Sequence, residues 1–334
     1  MRGYVFLSLL IVAFSTTSFL AAVPSVDDFS LDNPFWNGLS TLHQRYGFEY
    51  ISISNLMSAP PDAIVFIYPS KPIGEGQAQT LKAFLEEGGT LIILDEYGYS
   101  NTFLNSLGFG ANISSYLLRD PLYKWRSSEL PYSWVDFGGR SFKICLNYAS
   151  TLDPGNGKTL GFSSYFSFLD ENFNGVHDAG EPSGRMCVAA SYRLGRGSVM
   201  VFSDSSIFLN NMLSLGENSL LIEALTSGHT PYLLEDTLTF GAYTMLREKA
   251  VSSYLTLYNI IFYSSASYPL ISLTAVLVFY AAKALYFRLQ RPLRAPTLKD
   301  KLYNTLKLHP RWDRRVLEDM LSEVFEGFER DRED

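Results

Sequence analysis

Apolar positions along the chain fall into short continuous runs, helical stripes and two long uncharged tracts. DAIVFIYP (62–69) and TLIILDE (90–96) are short runs bounded by Pro or acidic residues. Runs of that length, apolar on both alternations, predict buried strands of a parallel sheet. Between them QAQTLKAFLEEGG (77–89) sets Leu81, Phe84 and Leu85 at helical spacing, and Gly88 and Gly89 stop the helix. Strand, helix and strand within about 35 residues predict a βαβ unit. Upstream, residues 38–47 predict a helix and 48–53 a strand. Downstream, 184–195 and 197–204 predict a hairpin, and 210–228 a helix ended by Gly228. Residues 109–165, rich in Tyr, Trp, Ser and Pro, show little periodicity and are expected as an insertion or irregular β segment.

The long tracts set the topology. Residues 3–26 carry no charge after Arg2, which predicts either a cleaved secretory signal or a retained anchor over 1–24. Ala250–Ala282 is also uncharged, and YPLISLTAVLVFYAAKALYF (268–287) is its most membrane-like part. Lys283 can reach the interface, Tyr280 and Tyr286 suit an aromatic belt, and Arg288, Arg291, Arg294, Lys299 and Lys301 follow. That charge bias predicts a transmembrane helix at 267–287 with a cytoplasmic tail at 288–334. The expected organisation is then an extracytoplasmic α/β domain over 25–245, with 109–183 inserted, a juxtamembrane segment over 246–266 and location at the cell membrane. In the tail, Val316, Leu317, Met320, Leu321, Val324, Phe325 and Phe328 share one helical face. This stripe predicts a cytoplasmic protein partner bound through 311–330, or a helix lying on the membrane surface.

An exterior location gives meaning to DENFNGVHDAGE (170–181). Asp170, Asn172, Asn174, Val176, Asp178 and Glu181 stand at the ligand positions of a calcium loop, with Gly175 at the sharp turn. The flanks read as strands rather than helices, so the expectation is a structural Ca2+ clip, against an ion-free Asn/Gly turn. The same oxidising exterior permits a Cys145–Cys187 disulfide, against two buried free thiols. A net charge of −7, with the basic run confined to the segment after the apolar tract, does not suggest a nucleic-acid face, and two cysteines without metal spacing exclude a zinc module.

Four pieces of the chain resemble one family. DNPFWNGLSTL (32–42), LKAFLEEGGTLIILDEYGYSNTFLNSLG (81–108), GRGSVMVFSDSSIFLNNML (195–213) and the apolar C-terminal tract with its basic tail occur in the order seen in domain of unknown function family 4350. The resemblance implies a membrane-anchored protein with a class I glutamine amidotransferase-like, flavodoxin-like domain, and traffic with a MoxR-type ATPase system. One departure is LLEDTLTFG (233–241), where no His follows Glu235 and Asp236.

Catalytic chemistry is not assembled. The turn after LIIL holds Asp95, Glu96, Tyr97 and Gly98 where an amidotransferase carries its nucleophile, and no nucleophile elbow occurs elsewhere. Ligands of parallel sheets sit beyond the strands' carboxyl ends. Asp95, Glu96 and Asp204 end two strands, and the resemblance brings Asn33, Trp36 and Asn37 nearby; the alternative is that Asp95 and Asp204 cap turns. The expected function is a non-enzymatic binding or scaffold protein. The alternative is a cell-surface hydrolase using these acids.

Overall fold

The computed structural model describes residues 2–263 and 267–289, together with Asn304, Lys307, Leu308, Asp313, Arg315, Val316 and Asp319. Most of the tail expected to form an amphipathic helix over 311–330 lies outside the described residues.

The chain opens with α1 (Arg2–Ala22) and continues through α2 (Ser40–Tyr46), β1 (Glu49–Ile51), β2 (Ala63–Ile67), α3 (Glu75–Glu86), β3 (Thr90–Leu94) and α4 (Asn101–Ser106). Short strands follow: β4 (Asn112–Ile113), β5 (Leu117–Arg119), β6 (Tyr132–Phe137), β7 (Arg140–Cys145), β8 (Leu152–Asp153), β9 (Lys158–Phe162) and β10 (Phe168–Asp170). Then come β11 (Cys187–Leu194), β12 (Gly197–Phe202), α5 (Asn218–Thr226), β13 (Thr230–Leu234), α6 (Ala242–Tyr263) and α7 (Ser267–Leu289).

A nine-stranded sheet runs β1-β13-β2-β3-β12-β11-β9-β6-β7. The first five are parallel neighbours, and from β12 onward every pairing is antiparallel. The expected βαβ unit is present as β2-α3-β3, and the expected hairpin as β11-β12. The parallel strands, taken in chain order, stand 1-5-2-3-4 across the sheet, which departs from the flavodoxin-like order 2-1-3-4-5.

Both faces of the parallel part are covered, which is why its strands read as unbroken apolar runs. Ile64, Phe66, Ile92, Leu94, Met200 and Phe202 point to one face, against Leu39 and Leu42 of α2 and Leu221, Ile222 and Leu225 of α5. The alternate residues Val65, Ile67, Leu91, Ile93, Val199 and Val201 point to the other, against Leu81, Phe84 and Leu85 of α3 and Phe103 and Leu104 of α4. α3 approaches the sheet closely: a Cβ at Gly89 would stand 2.3 Å from the Phe84 ring.

The inserted region is more regular than its sequence predicts. β6, β7 and β9 extend the main sheet, while β4–β8 and β5–β10 form two-stranded ribbons. The helix expected over 210–228 is confined to α5. Asn218, fully buried, accepts the Cys145 N–H (2.9 Å) and donates to the carbonyls of Cys145 (2.9 Å), Ile207 (2.9 Å) and Met212 (3.1 Å). These bonds hold 207–212 in turns, since the acceptors are served by a side chain rather than by a helical ladder.

The two ends of the domain meet. Ser25 Oγ and Thr244 Oγ1 are 2.8 Å apart and buried, and the Val23 carbonyl accepts from Tyr243 Oη (3.0 Å) and Arg247 Nε (2.9 Å). Arg247 also pairs with Asp32 at 3.3 Å. Farther along, the Phe14 ring meets Tyr254 edge-on at 5.9 Å. α1 and the first turns of α6 therefore run antiparallel, side by side. Residues 267–289 are helical as α7. Among the described residues no helix is long and apolar enough to cross a membrane.

Candidate binding cleft

β3 leads into α4 on one face of the sheet, whereas β12 leads toward α5 on the other. Connections that part to opposite faces leave a crevice at the carboxyl ends of the two strands. A cavity of about 500 Å3 opens there. Tyr68 and Ser70 reach it from the end of β2, Asp95, Glu96, Tyr97 and Tyr99 from β3, and Ser205 and Ser206 from β12. Asn147 and the segment carrying Leu238 and Thr239 complete the floor and one wall.

The opposite wall is a strap, residues 27–39, that bears Asp28, Phe29, Trp36 and Asn37. Asn33 is its hub. Its Nδ2 donates to the Asp27 carbonyl (2.8 Å) and Asn37 Oδ1 (3.1 Å), and its Oδ1 accepts the Phe35 N–H (2.8 Å). Gly38 fits because a Cβ there would lie 1.9 Å from the Asn33 carbonyl oxygen. Asn210, beyond β12, donates to the carbonyls of Asn33 (3.0 Å) and Phe35 (2.7 Å) and accepts the Thr41 N–H (2.9 Å). The strap is thereby pinned over the crevice, and Asn37 Nδ2 also donates to Asp28 Oδ1.

The acids have different roles. Asp95 is buried and its carboxylate accepts four donors: the N–H groups of Tyr97 (2.9 Å), Gly98 (3.0 Å) and Ser100 (2.7 Å), and Ser100 Oγ (2.6 Å). It builds the turn, as the capping alternative expects. Glu96 Oε2 accepts the Ser205 N–H at 2.8 Å. Burial, with the nearby Asp95 charge adding to it, raises the Glu96 carboxyl above the usual range against the Ser205 contacts. Asp204 is fully buried beneath the cleft and accepts the N–H groups of Asn147 (2.7 Å) and Ser206 (2.6 Å). Burial, followed by the Glu96 charge, pushes it well up. Tyr68, 2% exposed, has a hydroxyl with no hydrogen-bond partner among the described residues, and burial disfavours its ionisation. The Ser205 hydroxyl is buried beside Glu96 without meeting hydrogen-bond geometry.

Of the residues expected at a ligand site, Trp36, Asn37, Asp95 and Glu96 line the cleft. Asn33 does not: it is buried within the strap. Asp204 lies underneath rather than at the surface. Sequence reasoning missed Tyr68, Ser205 and Asn147. Tyr68 ends β2 as Asp95 ends β3, so the rule that pointed to the acids also pointed to it.

The disulfide expectation is corrected, because Cys145 and Cys187 are free. They stand on β7 and β11, with β6 and β9 between them. Three strand spacings are about 14 Å, beyond the roughly 7 Å reach of a disulfide. Burial pushes the Cys145 thiol up to about 12 and the Cys187 thiol to about 11, so neither is an activated nucleophile.

The 170–181 loop joins β10 toward β11. Gly175 turns with φ 84°. Asp170 accepts the N–H groups of Gly175 (2.9 Å) and Asn174 (3.1 Å) and pairs with Arg119 Nε at 2.6 Å. Burial opposes its ionisation, but Gly175 and Arg119 together hold the carboxyl below its ordinary value. Asn172 and Asn174 both turn Nδ2 toward Asp178 Oδ2 (2.8 and 2.6 Å), and Glu181 accepts the N–H groups of Glu171 (3.0 Å) and Asp178 (2.9 Å). Asn174 Oδ1 takes the Val176 N–H at 2.8 Å. The side chains thus gather on one loop and their donor set is all oxygen, the chemistry calcium takes, once the two amides turn their oxygens inward. Among the described residues no group of three or more His, Cys, Asp or Glu is placed to hold a metal.

Fold and cleft define an α/β protein with a half-parallel sheet, strapped over a carboxyl-edge crevice. The chain belongs to the family described as Domain of unknown function (DUF4350), whose profile matches residues 33–226, more than half of the sequence. No curated protein matches it. Among solved structures it is similar to the mmIFT52 N-terminal domain, at 17% identity over 53% of this chain and 79% of that one, with a TM-score of 0.41. It is also similar to Gan42B, a GH42 β-galactosidase from G., at 16% identity over 60% of this chain and 27% of that one, TM-score 0.35. A β-galactosidase from Bacillus circulans sp. alkalophilus matches at 14% identity over 49% of this chain and 22% of that one, TM-score 0.32. The matched stretch is thus about a quarter of each β-galactosidase.

Proposed function

We propose that the chain is a membrane-anchored extracytoplasmic binding or scaffold protein, whose amidotransferase-like domain lacks a catalytic nucleophile and receives a ligand or partner at the cleft. The observation that carries the reading is continuity: the strap runs directly from α1, and the wall bearing Leu238 and Thr239 runs directly into α6. A ligand gripped between these walls touches the two segments that join the domain to its apolar helices.

Membrane anchoring draws on α7. Leu273, Val276, Leu277, Val278, Phe279, Tyr280 and Leu285 are all exposed. A helix apolar on every face is suited to hydrocarbon rather than water, and each large apolar side chain gains roughly 1.5–3 kcal/mol on leaving water. Arg288, Arg291 and Arg294 support a cytoplasmic side for the residues that follow. The pairing of α1 with α6 favours a retained anchor over a cleaved signal. The 170–181 loop acts as a calcium clip on the exterior domain, weak because two amides replace acids, with affinity on the order of 10⁻⁴–10⁻³ M. The 311–330 stripe docks a cytoplasmic protein, and the family resemblance points to a MoxR-type ATPase.

Co-purification from crosslinked membranes tests the reading. The full chain retains a cytoplasmic partner that a chain ended at 310 loses, and Glu96→Gln leaves this partner in place. Equal recovery with and without the tail refutes the tail's role. The rival, a cell-surface hydrolase, draws on the raised Glu96 carboxyl as an acid facing the cleft. It requires turnover of a surface substrate that Glu96→Gln abolishes.

A further inference from the structure

We propose that the cleft binds a neutral saccharide, stacked on an aromatic face at the mouth and hydrogen-bonded by hydroxyl and carboxyl groups at the floor. This rests on the binding-protein reading above and names the ligand class for the same site.

The mouth is aromatic. Trp36 and Tyr97 line the cleft and are 66% and 63% exposed. Both sit on tightly bonded backbone, Trp36 on the strap and Tyr97 on the turn that Asp95 builds. Large flat rings held outward by rigid turns offer apolar area at little conformational cost, and the C–H faces of a sugar ring suit them.

The floor is hydroxylic and incomplete. Tyr68 Oη is buried and unpartnered. Ser205 Oγ lies beside the Glu96 carboxyl, short of full hydrogen-bond geometry. Buried polar groups are nearly always paired, so an orphan hydroxyl at the bottom of an open cleft indicates a partner that arrives with the ligand. A polyol can donate to one oxygen and accept from the next, matching hydroxyls that do both.

Charge excludes the alternatives. Among the described residues lining the cleft none is Lys, Arg or His, so a phosphate or carboxylate has no counter-charge. A quaternary ammonium would use the same aromatic faces by cation–π attraction, strengthened by a free carboxylate. The carboxylates lining the cleft are engaged within the protein, Asp95 by four donors, Asp28 by Asn37 and Glu96 by the Ser205 N–H. The Glu96 carboxyl, whose Oε2 takes the Ser205 N–H, bonds a sugar hydroxyl through its remaining acceptor positions. The cavity, about 500 Å3, falls in the roughly 300–1,000 Å3 range of small-ligand sites.

The test is calorimetric titration of the full-length chain, held in a detergent without a sugar headgroup. The probes are maltotriose, cellotriose, mannotriose and a β-linked galactotriose, with choline and a trigalacturonate as controls. At least one neutral trisaccharide binds one to one. Trp36→Ala weakens it roughly tenfold. Tyr68→Phe weakens it roughly threefold to tenfold while the melting temperature holds or rises, since an unpaired hydroxyl has been removed. A structural role for Tyr68 would lower both together. Absence of binding by every neutral sugar, or binding indifferent to both substitutions, overturns the proposal. Trp36-dependent binding of choline or trigalacturonate overturns the ligand class and leaves the cleft as a binding site. Failure of all probes, with partner capture also unchanged by Trp36→Ala, removes the cleft reading as well.

Discussion

The buried carboxyl of Asp204 makes a quantitative prediction. Its folded pKa is raised, first by burial and then by the Glu96 charge. The unfolded value is about 3.9. Below that value both states hold the proton and the domain has its full stability from this group. Between the unfolded and folded values the native state keeps a proton that the unfolded state has released, so stability falls as pH rises through the folded value. The slope reaches about 1.4 kcal/mol per pH unit for one proton. Asp204→Asn removes the titration. It also faces an amide NH2 toward one of the two N–H groups, of Asn147 or Ser206, that the carboxyl accepts. Losing that bond costs roughly 1–3 kcal/mol. The variant is therefore less stable than the natural chain near pH 4 and approaches or overtakes it as pH rises. Urea unfolding of the full chain in detergent, followed by near-ultraviolet circular dichroism from pH 4 to 8, measures both curves. Parallel curves, with a constant gap at every pH, would refute the assignment of a raised carboxyl to Asp204.

Other sites give further outcomes. Asn218→Ala strips partners from Cys145, Ile207 and Met212 backbone groups and destabilises the domain by roughly 3 kcal/mol, read as a shift in the urea midpoint. Gly38→Ala drives a methyl into the Asn33 carbonyl and costs about 1–3 kcal/mol, with faster proteolysis inside the strap. Cys145 and Cys187 react slowly with iodoacetamide at pH 8 in the folded chain and readily in urea, because burial holds both thiols protonated; equal rates would contradict this. Millimolar calcium raises the melting temperature and a chelator lowers it, while Glu181→Gln loses the response; an unchanged melt in the natural chain sinks the clip.

The parallel half of the sheet was legible because burial on both faces leaves its strands without polar positions, and β2, β3 and β12 carry that signature directly. α3 was legible from its stripe and its glycine stop. The antiparallel half was not. β6 and β9 turn small or polar residues inward, Ser133 and Gly161 among them, so the period of two is invisible in hydropathy. The acids of the cleft could be found from strand ends, but their division of labour could not. Asp95 and Glu96 are adjacent, yet one is consumed by four turn donors and the other faces the cavity. The strap joins residues 33 and 210 through amide side chains, a pairing that no local pattern encodes.

The account depends most on where the cleft-bearing domain lies relative to the membrane. Protease added to intact, sealed cells expressing a chain tagged at both ends measures it. The account predicts digestion of the large domain outside, with the carboxyl-terminal tag protected and the amino-terminal tag retained in a membrane-bound fragment. Protection of the domain together with loss of the carboxyl-terminal tag would contradict it.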